Sequence, residues 1–285
     1  MLKNSAVCIL AYNRVDYIKQ LVQFVERTEE KDVYPFYFFV DGGDKNAQVE
    51  IAKIVDNSSI KEKACIFRDT NIGCGRNHIE AKVQLFEKYD GLFVLEDDLI
   101  ISKNFFKVLE NLWNWSGRLY NNIGVVQAYQ GLVNDREWKM ARLMQVTNRN
   151  DHWWGYYIPK QTWDIIKGYV LEYYDKCIKD CEYRERKGVK PLTASWKDHA
   201  DVKFKEGDYI PKFCPGGIFG GSGQDAIMNI SVYLSNLERV STKVNYVKNI
   251  GERGINFNKG IYKKFKLDEI NLDEFDDVPT EFVAC

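Results

Sequence analysis

Three adjacent carboxylates, Glu96, Asp97 and Asp98, interrupt an apolar run in FVLEDDLIISKNFF, residues 93 to 106. Like charges side by side repel, and apolar flanks worsen the penalty by removing water. The cluster therefore calls for a compensating positive charge. A divalent ion, Mn2+ or Mg2+, meets that need, because such ions bind through one or two carboxylates together with substrate phosphate oxygens. At a strand end successive side chains point to opposite faces, so the three acids divide their work. One goes to the backbone or a nearby base, one to a sugar hydroxyl and one to a metal. The plainer alternative is a solvated loop or helix start, where acids suit the macrodipole. Asp41 closes a second apolar run, FYFFVDGG. Its carboxylate could accept from a nucleobase or ribose donor, or simply form the turn that Asp and Gly favour. Arg76, in NIGCGRN, could meet a diphosphate or be an ordinary arginine at a helix start.

These residues need a scaffold, and the first ~125 residues alternate strand-like and helix-like stretches. Strands are predicted at 6–10, 34–40, 64–67 and 91–95, with helices over 15–29, 45–56 and from about 77 to 88. Such alternation predicts an α/β fold with a mostly parallel sheet and helices on both faces. Ligands of these sheets lie at the carboxyl ends of the strands, where Asn13, Asp41 and Glu96 to Asp98 all fall. The loosening of the pattern divides the chain into a first half, 1–125, a smaller second half, 126–260, and an acidic C-terminal tail or arm, 261–285. In the second half a helix is predicted from about 160 to 179 and another over 224–234. Between them lies the glycine-rich PGGIFGGSG, residues 215 to 223, of which 216 to 223 could order over a bound ligand or merely connect.

Composition narrows the function classes. A net charge of −1 on 285 residues gives no polyanion-binding surface, so nucleic acid is not an expected partner. Seven cysteines are scattered and odd in number, which fits reduced thiols in a cytoplasmic protein better than a disulfide framework. No signal-peptide layout is present, and no apolar run approaches the ~20 residues of a membrane span. Peripheral attachment at the inner face of a membrane stays open. Gly73 and Gly75 do not complete the dinucleotide fingerprint, so a dehydrogenase is disfavoured. His78, His152 and His199 have neither pairing nor metal-ligand spacing.

The ordered set ILAYNR, FVDGG, NIGCGRNHIEA, FVLEDDLIISKNFF and, later, DHWWGYYIPKQTWD and VNYVKNIGERGINFN resembles the nucleotide-sugar-binding glycosyltransferases of GT-A (Rossmann-like) fold. It is most similar to family-2-type bacterial enzymes and to the N-acetylglucosaminyltransferases with a Glu-Asp-Asp motif. The resemblance covers about residues 5 to 258, and it implies that 1–125 is the nucleotide-sugar (donor) binding half and 126–260 the acceptor-binding, catalytic half. It implies a transferase that moves a hexosyl or N-acetylhexosaminyl group from a nucleotide-diphosphate sugar, a UDP-sugar being favoured. The implied acceptor is a hydroxyl of a saccharide or lipid-linked saccharide, and the setting bacterial surface polysaccharide synthesis.

Carried onto this sequence, the resemblance gives the nucleoside to Ala11, Tyr12, Arg14 and Asp41. It gives the diphosphate or base to Arg76, the ribose or donor sugar to Asp97 with Glu96 in support, and a divalent metal (Mn2+ or Mg2+) to Asp98. The catalytic base it implies is Asp225, with Asp151 as the alternative. Trp153, Trp154, Gly155 and Tyr156 become the acceptor side. Asn256 stands where relatives carry a closing His, which puts one metal or phosphate contact in doubt. Two rival classes remain in view. A metal-dependent nucleotidyltransferase would need a basic glycine-rich signature after the first strand, which Ala11-Tyr-Asn-Arg14 is not. A non-catalytic carbohydrate-binding relative would be expected to have lost some of the acids.

Overall fold

The computed structural model describes residues 2–131, 135–148, 152–199, 219, 221–254 and 259–284. Four strands open the chain: β1 (Ser5–Ala11), β2 (Phe36–Val40), β3 (Lys63–Phe67) and β4 (Gly91–Glu96). They alternate with α1 (Val15–Val25), α2 (Lys45–Asp56) and α3 (Cys74–Phe86). After β4 come β5 (Leu99–Ile101), α4 (Phe105–Leu119), β6 (Ile123–Gln127), α5 (Arg136–Met140), β7 (Gln145–Thr147) and β8 (Tyr156–Pro159). The remainder holds α6 (Lys160–Tyr173), α7 (Val189–His199), α8 (Gln224–Leu234), β9 (Glu238–Thr242), β10 (Val247–Asn249), α9 (Lys259–Lys264) and β11 (Val283–Ala284).

Nine of these strands form one sheet in the order β11-β7-β9-β6-β8-β4-β1-β2-β3. Strands β1 to β4 pair in parallel, as do β6 with β9 and β7 with β11, whereas β8 runs antiparallel between β4 and β6. The expectation of an α/β protein with a mostly parallel sheet and helices on both faces is met. The sheet runs unbroken through both predicted halves, and the expected boundary at 125 falls inside β6.

Alternation along the buried strands builds two cores. Val7, Ile9, Phe93 and Leu95 face α1, α2 and α4, while Ala6, Cys8, Leu92 and Val94 face α3, α6 and α8. Every residue of β1 is buried, as a central strand covered on both sides requires. The helices take their faces from spacing: Tyr17, Ile18, Leu21, Val22 and Val25 make the inner stripe of α1. Asp44 starts α2 by accepting from the Ala47 amide at 3.0 Å. Gly155, at φ +65, has Phe105 2.9 Å from where a Cβ would stand, so only glycine suits this entry to β8. Among the described residues no helix is long and apolar enough to cross a membrane.

The acidic C-terminal stretch, read as solvated, instead packs as a strap. Ile270, Phe275 and Phe282 join the first core. Its backbone is held along one face of α4, where Asn104 donates to the Phe275 carbonyl at 2.6 Å and Asn111 to that of Pro279 at 2.8 Å. Its acids find bases far away in sequence: Glu274 on Arg27, Asp276 on Lys103, Glu281 on Arg118 and Asp273 on Lys139. The last of these is buried. Lys139 Nζ lies 2.8 Å from Asp273 Oδ1, and Oδ2 accepts from the Asn245 amide at 2.9 Å. Lys139→Met leaves that carboxylate without its counter-charge. Urea unfolding is expected to show a loss of about 3 kcal/mol, the scale for breaking a buried pair.

Candidate active site

The site forms where β1, β2 and β4 end side by side. The Asp41 amide donates to the Ala11 carbonyl at 2.8 Å and the Asp97 amide to that of Leu10 at 2.9 Å, so the three strand ends are laced together. Because alternate residues of β4 face opposite cores, Glu96 continues toward the α3 side and Asp97 toward the α1 side. Glu96 is thereby separated from Asp97, as strand geometry predicts.

Arg14, the residue that leads into α1, supplies positive charge to two of them. Its guanidinium is bidentate on Asp97, through Nη2 to Oδ1 and Nε to Oδ2 at 3.2 Å, and Nη1 reaches Asp98 Oδ2 at 2.8 Å. Burial would lower the Arg14 pKa, but Asp97 and Asp98 outweigh it and hold the group above its ordinary value. This fork–fork geometry suits arginine rather than lysine. The sequence predicts a metal and a diphosphate as the counter-charge; among the described residues Arg14 supplies it to Asp97 and Asp98. The same guanidinium lies 5.3 Å over the Tyr17 ring, and Arg253 lies 5.1 Å from that ring's centre.

Asp98 keeps one unmet acceptor. Its Oδ1 is buried and has no hydrogen-bond partner among the described residues. An orphaned carboxylate oxygen is costly unless something else binds there. Around it the chain closes tightly. The Ile250 amide donates to the Asp98 carbonyl at 2.7 Å, and the Gly251 amide to Asn249 Oδ1 at 2.8 Å. A Cβ on Gly251 would collide with the Asp98 carboxylate. A divalent ion fits this setting, since it would satisfy Oδ1 and take its other ligands from phosphate and water. Among the described residues no three of His, Cys, Asp and Glu converge on one point, so within that set Asp98 is a single-carboxylate site.

Glu96 meets a network that the sequence reading did not find. His78 Nε2 is 3.6 Å from Glu96 Oε1, and Lys82 Nζ is 3.2 Å from His78 Nδ1 and 5.9 Å from the centre of the Tyr156 ring. His78 and Lys82 are one turn apart on the inward face of α3. Burial, then Lys82, pushes the His78 pKa down to about 3, so this imidazole is neutral. Burial also lowers Lys82, opposed by Asp225 and Glu96 among others. Burial, then Asp98, pushes Glu96 up to about 7. Asp225, in the first turn of α8, is pushed up to about 6 by burial and then by Glu96, against the pull of Arg239 and Lys82. His78, Lys82, Tyr156, Gln224 and Asp225 line one small pocket. An i, i+4 His–Lys pair on an otherwise apolar helix face was the signal available in the sequence.

The other expected residues are placed as follows. Ala11 is buried at the end of β1 and Tyr12 is half-buried beside Gly43. Asp41 holds the loop that starts α3: Oδ1 accepts from Gly42 at 2.8 Å and Ile72 at 2.9 Å, and Oδ2 from Gly73 at 2.9 Å. A carboxylate offers about four acceptor positions, so one is left for a ligand. Arg76 stands in the first turn of α3, its Nε buried without a hydrogen bond and 3.9 Å from Glu80. Trp153, Trp154 and Tyr156 are buried. His152 stacks on Trp154 at 4.1 Å, Arg239 lies 4.5 Å over Trp153, and Trp153 donates to Asn229 Oδ1 at 2.9 Å. These rings are taken by the protein's own groups: Trp154 packs in the first core and Trp153 and Tyr156 in the second, instead of offering open faces. Asp151, Asn256 and residues 215–218 and 220 of the glycine-rich segment lie outside the described residues. Of that segment, the Ser222 carbonyl accepts from Tyr173 at 3.1 Å and from Arg186 at 2.8 Å.

No protein-family model matches the sequence, and no curated protein matches it. Solved structures share its overall course at low similarity. TarS 1–349 of S. aureus is 13% identical with a TM-score of 0.47, covering 87% of this chain and 61% of that one. The mannosyltransferase PcManGT from Pyrobaculum calidifontis, in complex with GDP-Man and Mn2+, is 9% identical with a TM-score of 0.41. It covers 56% of this chain, which spans just under half (46%) of that protein. The 4-diphosphocytidyl-2C-methyl-D-erythritol synthase of Anaerococcus prevotii is 12% identical with a TM-score of 0.38, covering 81% and 96%. At such values the functional reading rests on the residues of the site.

Proposed function

We propose that the chain is a glycosyltransferase of GT-A type, moving a sugar from a nucleotide-diphosphate donor to a hydroxyl of a saccharide or glycolipid, with inversion. One observation carries the reading. A buried carboxylate oxygen of Asp98 without a partner among the described residues stands at the strand ends, while Asp225, a carboxylate of raised pKa, lies with Glu96 on the other face of the sheet. One position suits a charged donor and the other a proton acceptor.

In this account Tyr12 and the remaining acceptor position of Asp41 hold the nucleoside, and Arg76 faces the diphosphate. Arg14 fixes Asp97 and Asp98 in one orientation and shields their mutual repulsion. Mn2+ or Mg2+ on Asp98 Oδ1 would supply Lewis-acid stabilisation of the charge that grows on the departing diphosphate. Asp225 takes the proton of the acceptor hydroxyl as its oxygen bonds to the anomeric carbon, and the bond from that carbon to the diphosphate oxygen breaks with its electron pair. Lys82 and His78 hold Glu96 and keep Asp225 ionisable near neutrality. Transfer to a surface polysaccharide or glycolipid, with a UDP-sugar as donor, extends the same proposal.

A panel of nucleotide sugars, assayed for donor turnover with Mn2+ and with chelator, tests it. Turnover of one donor with metal supports the reading. Turnover indifferent to chelator would leave Arg14 as the sole counter-charge, and release of pyrophosphate from a nucleoside triphosphate would point to nucleotidyl transfer. The pH profile carries a further expectation. A base must be deprotonated, so turnover is expected to rise as pH climbs through about 6 and then level, the value to which Asp225 is raised. Lys82→Met removes a positive charge that lowers Asp225. The rising limb should move to higher pH; an unmoved limb would assign Lys82 to packing alone.

A further inference from the structure

The segment Lys259 to Lys266, KGIYKKFK, holds four lysines and no acid on a chain whose net charge is −1. Its fold turns that charge outward. Tyr262 and Leu267 are buried, and the Tyr262 hydroxyl donates to the Asn249 carbonyl at 2.8 Å. With those two inside, Lys259, Lys263, Lys264, Phe265 and Lys266 are all exposed. Phe265 is 55% exposed, set between two lysines in the turn that follows α9. The acids nearby do not cancel the patch. Glu269 lies 3.8 Å from Lys266, both in solvent, and Asp268 acts on Lys248, whose pKa burial lowers. Glu252 is exposed across the intervening chain. The strap's Asp273, Glu274, Asp276 and Glu281 are committed to Lys139, Arg27, Lys103 and Arg118.

We infer that this corner docks on an anionic lipid bilayer, with Phe265 at the headgroup boundary and the lysines against lipid phosphates. A large exposed ring among lysines is the chemistry of a peripheral anchor: the ring gains by leaving water, and each lysine gains from the negative surface potential. Long lysine stems let the ring descend while their ammonium groups stay at the interface. Nucleic acid suits the patch less well, because its footprint is an extended basic face and the chain as a whole is not basic. The docking also has a consequence for the site. Tyr262 grips Asn249, and Ile250, the next residue, donates to the Asp98 carbonyl. The corner therefore holds the strand-end site close to the bilayer, where a lipid-borne acceptor would be met. The inference stands on this surface and does not depend on sugar transfer.

Flotation of the full chain with vesicles of phosphatidylcholine alone, and of phosphatidylcholine mixed with phosphatidylglycerol, tests it. The chain is expected to rise only with the anionic vesicles and to be released by salt. Lys263→Glu with Lys264→Glu should weaken partition at least about ten-fold. Phe265→Ser should weaken it while leaving the salt dependence in place. Thermal unfolding should be unchanged in the double lysine variant, whose replaced side chains are exposed, and should stay cooperative in Phe265→Ser, whose ring is 55% exposed. A wild-type chain that ignores anionic vesicles, or variants that bind as the wild type does, would overturn the proposal. So would salt-sensitive binding of short duplex DNA that exceeds vesicle binding and survives Phe265→Ser.

Discussion

Asp98→Asn is expected to lower metal-dependent sugar transfer by about 10³-fold, the scale on which a site loses a principal stabiliser of developing charge. The reason lies in two oxygens with different duties. Oδ2 is already satisfied by Arg14, whereas Oδ1 is buried with no protein partner among the described residues. An amide keeps the size and removes the negative charge that a divalent ion needs. The fold should survive, because Arg14 retains its bidentate grip on Asp97 and the Asp98 carbonyl still accepts from Ile250. Circular dichroism and the unfolding midpoint should therefore match the wild type while turnover collapses. Full activity in Asp98→Asn would remove the metal assignment.

Asp225→Asn should lower turnover by about 10²- to 10⁴-fold, the usual contribution of a positioned base, without weakening donor binding. Asp225 lies at the start of α8, across the sheet from Arg14, and reaches the acids through Glu96, His78 and Lys82 rather than through the strand-end loops. A variant that keeps nucleotide affinity and loses turnover separates the two duties of the site. The rising limb of the pH profile should vanish with it, because the group that titrates near 6 is gone. If donor affinity fell in step with turnover, Asp225 would be a structural acid of the second core.

Most of the scaffold was legible because the first half keeps a clean change of period. The buried runs at Ala6 to Leu10 and Gly91 to Leu95 are strands, and the α8 bounds match the expected helix over 224–234. What escaped was long-range. The strap reads as solvated because its anchors Ile270, Phe275 and Phe282 follow no regular spacing and its acids are dense. Four of those acids, Asp273, Glu274, Asp276 and Glu281, nonetheless meet bases far off in the chain, as Glu274 meets Arg27. The site was legible by position, since Asp41 and the three acids all fall at strand ends. Its wiring was not. Arg14, which the resemblance assigns to a nucleoside, bridges Asp97 and Asp98, a pairing over more than 80 residues that no local pattern carries. Trp153, Trp154 and Tyr156 signal stacking faces in sequence, and only the packing around them reveals that those faces are taken.

The central claim is that Asp98 holds a nucleotide-diphosphate donor through a divalent ion, and calorimetric titration of UDP tests it most directly. The wild type and Asp225→Asn are predicted to bind UDP in Mn2+ and to lose most of that affinity with chelator, whereas Asp98→Asn should bind weakly under both conditions. Equal binding of UDP by wild type and Asp98→Asn, with or without Mn2+, would contradict the account.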